Sequence, residues 1–383
     1  MKTVVITIDG LSTSAISAYG NTWVRTPTFD DLAASGLVLE SAYCSDPRLN
    51  SSLEHLWCIN NPQRGTTLTP ITSHLITDDA EAARIAEQGG YDAVTPITPV
   101  INNEAATEVE DTGFANLTAE VIDYLESGEC ADLLWIHSSG LSGNWDAPET
   151  LRDLYHDEED PEIKIGITAP VSGVEDKIDE DYLAALQQAY AAQVTMIDSC
   201  LSVLIPLLEA RVDRIIITSP RGYNLGRHGQ IGINTGQLTE DVIHVPFILV
   251  DNTFRNNLVR NQWLFSTTQL GEWINSCDDN ENRDLNCGVF QSTDSVSPHI
   301  HDAPVMHQVI QLLSATERAI RTPAWHARYD LNTHEVIGIF AKPDDRWEAN
   351  DISDRCGQAG ELLADLATSS DNITELDNSL ILF

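Results

Sequence analysis

The stretch Met1-Lys2-Thr3-Val4-Val5-Ile6-Thr7-Ile8-Asp9-Gly10 decides the fold, because an apolar run from Thr3 to Ile8 closes on a carboxylate and a glycine. Such a run reads as a buried strand that delivers Asp9 to the C-terminal edge of a parallel sheet, where open α/β folds place their chemistry. Outward from it, strand and helix patterns alternate. Further strands are expected at His74–Thr77, Ala93–Thr95, Asp132–His137, Arg214–Ser219 and Val245–Asp251. Helices are expected at Pro27–Ala34, Asp79–Gln88, Thr118–Glu126, Glu180–Glu209 and Thr267–Ser276, with Pro206 marking a kink or break near the end of the long one. Strand-helix-strand succession implies right-handed crossovers and a doubly wound, mostly parallel α/β sheet with helices on both faces.

The chain has 383 residues, 42% apolar and 21% charged, enough for one large domain with a sizeable core. Its formal net charge of -38 is extreme, and only four of the 21 basic residues are Lys (2, 164, 177 and 342). Such a surface repels nucleic acid and anionic membranes, so neither is an expected partner. An anionic small molecule requires a local reversal of that field by a basic patch or a metal. No secretory leader precedes the first strand, and no apolar run approaches the roughly 20 residues a membrane span needs, so a cytoplasmic location is expected. The seven cysteines form no Cys-x-x-Cys pair, and their odd count argues against a complete disulfide framework. Cys277 and Cys287 are the one pair suspected of contact.

Four motifs carry a resemblance. "AYG…VRTPTFDDLAASG" (18–36), "AARIAEQGGYDA" (82–93), "IIITSPRGYNLGRHG" (215–229) and "TEDVIHVPFILV" (239–250) occur in the order and spacing of the sulfatase family of the alkaline phosphatase superfamily. Residues 317–355 also resemble the small C-terminal subdomain in which that family carries "R-A-[IVL]-R-T". The resemblance implies an alkaline-phosphatase-like α/β domain over residues 1–300 and a small C-terminal α+β subdomain over 301–383, expected as a strand pair followed by turns.

Sulfatases hydrolyse sulfate esters with a formylglycine hydrate beside Ca²⁺, because a hard cation polarises the ester and stabilises developing charge. The residues that the resemblance would carry over are largely absent here. Asp9 is followed by Gly10 where the family has a second Asp, and the later Ser-Asp-[His/Asn]-Gly reads Ser219-Pro220-Arg221-Gly222. The nucleophile slot falls on Leu49, whereas a shifted alignment over Cys44-Ser45-Asp46-Pro47-Arg48 recovers Cys and Arg but not the Pro. The family's Gly-Lys-x-His falls on Ile97, Thr98 and Val100, and its second lysine position on Thr235, so both lysines and one histidine are missing.

The remaining ligand-pocket candidates are Asp9, Arg48, Asn50 and Arg221, with Asp9 the sole metal-ligand candidate and an Asp9–Arg221 ion pair the expected substitute for a cation. Catalytic candidates are His137, His228, Ser51 and Ser52. Each has a structural alternative: His228 as a wall residue, and Ser51 with Glu54 as a capping box on the "SSLEHLW" helix. Trp145 reads either as an aromatic lip over substrate or as an anchor for its own loop. The favoured expectation is a sulfatase-like protein that has lost ester hydrolysis, with no cofactor and a binding or assembly role. The alternative is an active sulfuric or phosphoric ester hydrolase with a rearranged calcium site and a Ser or Cys nucleophile.

Overall fold

The computed structural model describes residues 2–57, 72–100, 102–129, 131–161, 163–171, 178–233, 236–251, 258–271, 274, 309–368 and 380. Its main sheet is built from β1 (Thr3–Ile8), β2 (Leu37–Tyr43), β3 (Ser73–Thr77), β4 (Ala93–Pro96), β5 (Leu133–Ser138), β6 (Arg214–Thr218), β9 (Phe247–Asp251) and β10 (Val259–Ser266). A two-stranded hairpin of β7 (Asn224–Leu225) and β8 (Ile231–Gly232) follows β6. The sheet order is β10-β2-β9-β6-β1-β5-β3-β4, and every pairing is parallel except those of β9 with β2 and β6. The six strands expected from apolar runs are present, with ends moved by one or two residues; β2 and β10 are additional.

All six residues of β1 are buried, as a central strand covered on both faces requires. Val4, Ile6 and Ile8 join one core with Phe29 of α1 (Pro27–Ser35), Leu117 of α4 (Gly113–Glu126) and Leu201 of α6 (Glu180–Glu209). Val5, Leu133 and Trp135 face the other, with Leu53 of α2 (Leu49–Leu56) and Ala82 of α3 (Ala80–Gly89). The period-two alternation of the strands therefore distributes helices to both faces. Between α4 and α6, α5 (Glu149–Arg152) is a single turn that packs on α6.

Three expectations need correction. α4 starts at Gly113, five residues early, because the Thr112 hydroxyl accepts from the Ala115 N–H and Asp146 accepts from the Gly113 N–H at 2.8 Å. α6 runs through Pro206 to Glu209 without a break. By length and composition it is also apolar enough to cross a bilayer, contrary to the sequence reading, but most of its apolar window is buried in the core. The helix expected over Thr267–Ser276 is present where it is described: a 3₁₀ turn at Thr267–Gln269 leads into helical Leu270 and Gly271, Ile274 is helical too, and 272, 273, 275 and 276 lie outside the described residues.

Where a strand pair was expected at the C-terminal end, four antiparallel strands form: β11 (Ile310–Leu313), β12 (Glu317–Arg321), β13 (Trp325–Asp330) and β14 (Val336–Ala341). β12, β13 and β14 share a core of their own with Leu363 of the helix Gln358–Thr368, including Ile320, Ala327 and Ile339, while Ile310 and Leu312 of β11 join the core of the main sheet. The boundary expected at residue 300, and Cys277 and Cys287, lie outside the described residues.

Candidate functional site

The strand order brings the ends of β1, β3, β5 and β6 to one edge of the sheet, together with the loop after β2. Asp9 leaves β1 at that edge and is fully buried. Arg221, from the turn after β6, meets it in a two-pronged ion pair: Nε donates to Oδ1 and Nη2 to Oδ2, both at 2.8 Å. Arg221 Nη1 donates to the Pro47 carbonyl at 3.0 Å, which ties the same guanidinium to the loop after β2. Burial alone would pull the Arg221 pKa down, and the Asp9 charge more than offsets it.

The backbone explains why residue 10 carries no second carboxylate. Gly10 has φ +80°, and a Cβ there would lie 3.1 Å from Leu141 Cβ and 3.2 Å from the Ser142 nitrogen. In the turn after the neighbouring β5, Gly140 has φ +47°, and a Cβ there would lie only 2.6 Å from an Ile8 methyl. The two glycines let the ends of β1 and β5 close on each other, fixed by Asp9 N–H to Ser138 O at 3.0 Å and Leu141 N–H to Asp9 O at 2.8 Å. A side chain at position 10 would have to adopt a left-handed backbone and displace that packing.

His137, opposite Thr7 in the β1–β5 register, is fully buried. Its Nδ1 lies 2.9 Å from the Thr7 hydroxyl, which also accepts from Trp135 Nε1 at 2.9 Å. Its Nε2 has no hydrogen-bond partner among the described residues and faces Asp79 Oδ2 at 3.9 Å. Asp79 caps α3 by accepting from the Glu81 and Ala82 N–H groups. Burial pushes its pKa up, but His137 and the helix N–H groups bring it below the ordinary carboxylate value. Beside it, Asp78 accepts from Ser138 Oγ at 2.9 Å and Ser139 N–H at 2.7 Å, and burial raises its pKa. Sequence reasoning missed Asp78, Asp79 and Thr7; the Asp-Asp pair after β3 looked there like an ordinary helix start.

The other expected residues go elsewhere. Arg48 makes a two-pronged bond with buried Asp46, while Asn50 donates to Glu81 Oε1 at 3.0 Å. Ser52 Oγ donates to the Pro220 carbonyl at 2.7 Å. The capping box expected at Ser51 is absent, because α2 begins at Leu49 with Arg48 at the N-cap and both serines lie inside the helix. His228 pairs with Glu348, 3.9 Å away, on the side of the C-terminal sheet. Cys44 is fully buried, with its thiol pKa pushed up by desolvation and its Sγ 3.7 Å from the Val242 carbonyl. Trp145 is an anchor: it is buried, and its Nε1 donates to Leu141 O at 2.9 Å.

A calcium ion needs six to eight oxygen ligands. Both Asp9 oxygens are taken by Arg221, Pro220 offers no side-chain donor, and Asp46 is taken by Arg48. The residues present do not fit that ion. A second grouping, Glu240, His326 and Glu348, has donor atoms within 4.8 Å of one another. Buried Lys342 already supplies the cation there, with Nζ 2.9 Å from Glu240 and 3.6 Å from Glu348.

No protein-family model matches the chain, and no curated protein does. Solved structures do match. A phosphonate monoester hydrolase of Agrobacterium radiobacter superposes with a TM-score of 0.68 at 13% identity, covering 95% of this chain and 94% of that one. BT1596, described as a 2-O GAG sulfatase, gives 0.65 at 14% identity over 95% and 90%. BT4656, solved in complex with its substrate D-glucosamine-2-N,6-O-disulfate, gives 0.63 at 12% identity over 96% of each chain. Along nearly its whole length, then, this chain adopts the alkaline-phosphatase-like fold of the sulfatases.

Proposed function

We propose that this protein is a sulfatase-fold pseudoenzyme: it has lost metal-dependent ester hydrolysis and serves as a binding or assembly component. The observation that carries the reading is the Asp9–Arg221 pair, in which a guanidinium occupies both oxygens of the one carboxylate left at the end of β1. A buried carboxylate must be compensated, and a fixed cation does so without an ion. Hydrolysis on this fold depends on a cation that polarises the ester and on an activated nucleophile, which together supply several kcal/mol of transition-state stabilisation. Here Ser52 is bonded to a backbone carbonyl and Cys44 is sealed as a thiol, so the alternative of a Ser or Cys nucleophile with a rearranged calcium site draws no support from either residue.

An anionic small molecule is the ligand class this reading retains, since BT4656 is seen with a disulfated glucosamine. The test is turnover of 4-nitrophenyl sulfate, 4-nitrophenyl phosphate and a phenylphosphonate monoester, with and without added calcium. The reading expects rates indistinguishable from those of the Asp9→Asn variant. Metal-stimulated turnover that Asp9→Asn abolishes would overturn it.

A further inference from the structure

A cavity away from Asp9 opens where the main sheet meets the C-terminal strands. Its volume is about 370 Å³, and its walls come from β2, β10, the turn Glu240–Ile243, β12 and the loop after β14. Four of the chain's 21 basic residues line it: Arg260, Arg321, Lys342 and Arg346. Among the described residues only two carboxylates do, Glu40 and Glu240. Both are already paired, Glu40 with Arg260 at 2.7 Å and Glu240 with Lys342 at 2.9 Å. His244, also in the wall, is neutral at pH 7, since burial pushes its pKa down to about 4.

Arg321 and Arg346 are left in surplus. Arg321 is buried, donates from Nε to the Tyr43 hydroxyl at 3.1 Å and from Nη1 to the Thr322 carbonyl, and lies 5.0 Å from the Tyr43 ring centroid. Arg346 donates to the Tyr19 carbonyl at 3.1 Å and lies 5.0 Å from the Trp347 ring centroid. Neither has a carboxylate within ion-pair distance among the described residues. In a chain with 59 acidic side chains and a net charge of -38, two guanidiniums on one cavity with no carboxylate within ion-pair distance among the described residues form the local field reversal that a small anion requires. Guanidiniums held by backbone carbonyls and rings keep their remaining N–H groups oriented, which favours planar or tetrahedral oxyanions.

We infer that this seam cavity is a binding site for a small dianion, an oxyanion or a dicarboxylate, with Arg321 and Arg346 as its charge partners. The site is independent of whether the Asp9 pocket hydrolyses anything. A ligand here touches both the main sheet and the C-terminal strands, so occupancy fastens one to the other.

The test titrates the full chain with sulfate, phosphate and malonate by calorimetry, with ionic strength held constant by chloride. At least one of the three binds saturably, Arg346→Gln weakens it about tenfold or more, and Arg346→Lys keeps most of the affinity. Arg48→Gln, beside the Asp9 pocket, leaves it unchanged. Far-ultraviolet circular dichroism of the anion-free variants checks folding, and Arg260→Gln, which leaves Glu40 facing the anion, gives the same loss should Arg346→Gln not fold. Absence of saturable binding by all three anions, or loss of binding in Arg48→Gln rather than Arg346→Gln, overturns the inference.

Discussion

Replacing Arg221 with Met keeps an apolar stem of similar length and removes the guanidinium from Asp9. Asp9 is fully buried and loses two charge-assisted hydrogen bonds of 2.8 Å, while the Pro47 carbonyl loses a third donor at 3.0 Å. Breaking a buried pair by deleting one partner costs about 3–5 kcal/mol, since it strands an uncompensated charge. Against a typical total stability of about 5–15 kcal/mol, that is a large fraction. With a urea slope of about 2–3 kcal/mol/M, the midpoint of equilibrium unfolding falls by about 1–2.5 M. The double variant Asp9→Asn with Arg221→Met removes both charges and recovers much of the loss, so the double-mutant cycle returns a coupling of several kcal/mol. Millimolar calcium does not restore Arg221→Met, because Pro220 offers no side-chain oxygen to help Asp9 hold it and its carbonyl already accepts from Ser52. A loss below about 1 kcal/mol in Arg221→Met, or full rescue by calcium, would refute the reasoning.

The His244 pKa is lowered from 6.5 to about 4 by burial, so the unfolded chain binds more protons between those values and stability falls as pH drops through that window. The span corresponds to about 3 kcal/mol, and the pH dependence of urea midpoints from pH 7 to 4 is flatter in His244→Gln. Lys342→Met leaves Glu240 and Glu348 facing each other without their shared ammonium; thermal denaturation reads a loss of about 3–5 kcal/mol. Both carboxyls have pKa values held low in the folded state, so their stabilisation is present above the ordinary glutamate range and is lost as pH falls below it. The Lys342→Met deficit accordingly narrows in acid. Cys44, sealed and with its thiol pKa raised, remains unlabelled by iodoacetamide in the native protein at pH 8 and reacts after denaturation; peptide mass spectrometry reads both states.

Much of this architecture is legible from apolar periodicity. β1 and β6 are short, mainly apolar β-branched runs in the centre of the sheet, and α6 has acids at its N-terminus ahead of apolar residues at helical spacing, so bounds and type follow from residue pattern. β10 escaped notice because it lies at the sheet edge, where the polar run Arg260-Asn261-Gln262 leaves "VRNQWLFS" with neither an apolar run nor a period-two pattern. Glu40 and Ser41 interrupt the apolar pattern of β2, and their half-buried positions are visible only once its neighbours are known. At the site, Asp9 with Arg221 was readable because a cation stands where the resemblance expects a ligand. His137 facing Asp79 was not, since register across β3 and β5 joins residues 58 positions apart that share no local pattern. The Glu240–Lys342–Glu348 network was hidden for the same reason, and each of its residues looked like ordinary surface charge.

The most direct test of the central claim is a crystal structure of the purified protein grown with excess calcium and manganese, with anomalous differences measured at the manganese edge. No anomalous peak is expected within coordination distance of Asp9, and the guanidinium of Arg221 is expected bonded to both carboxylate oxygens. A coordinated metal on Asp9, with Arg221 turned away, would contradict it.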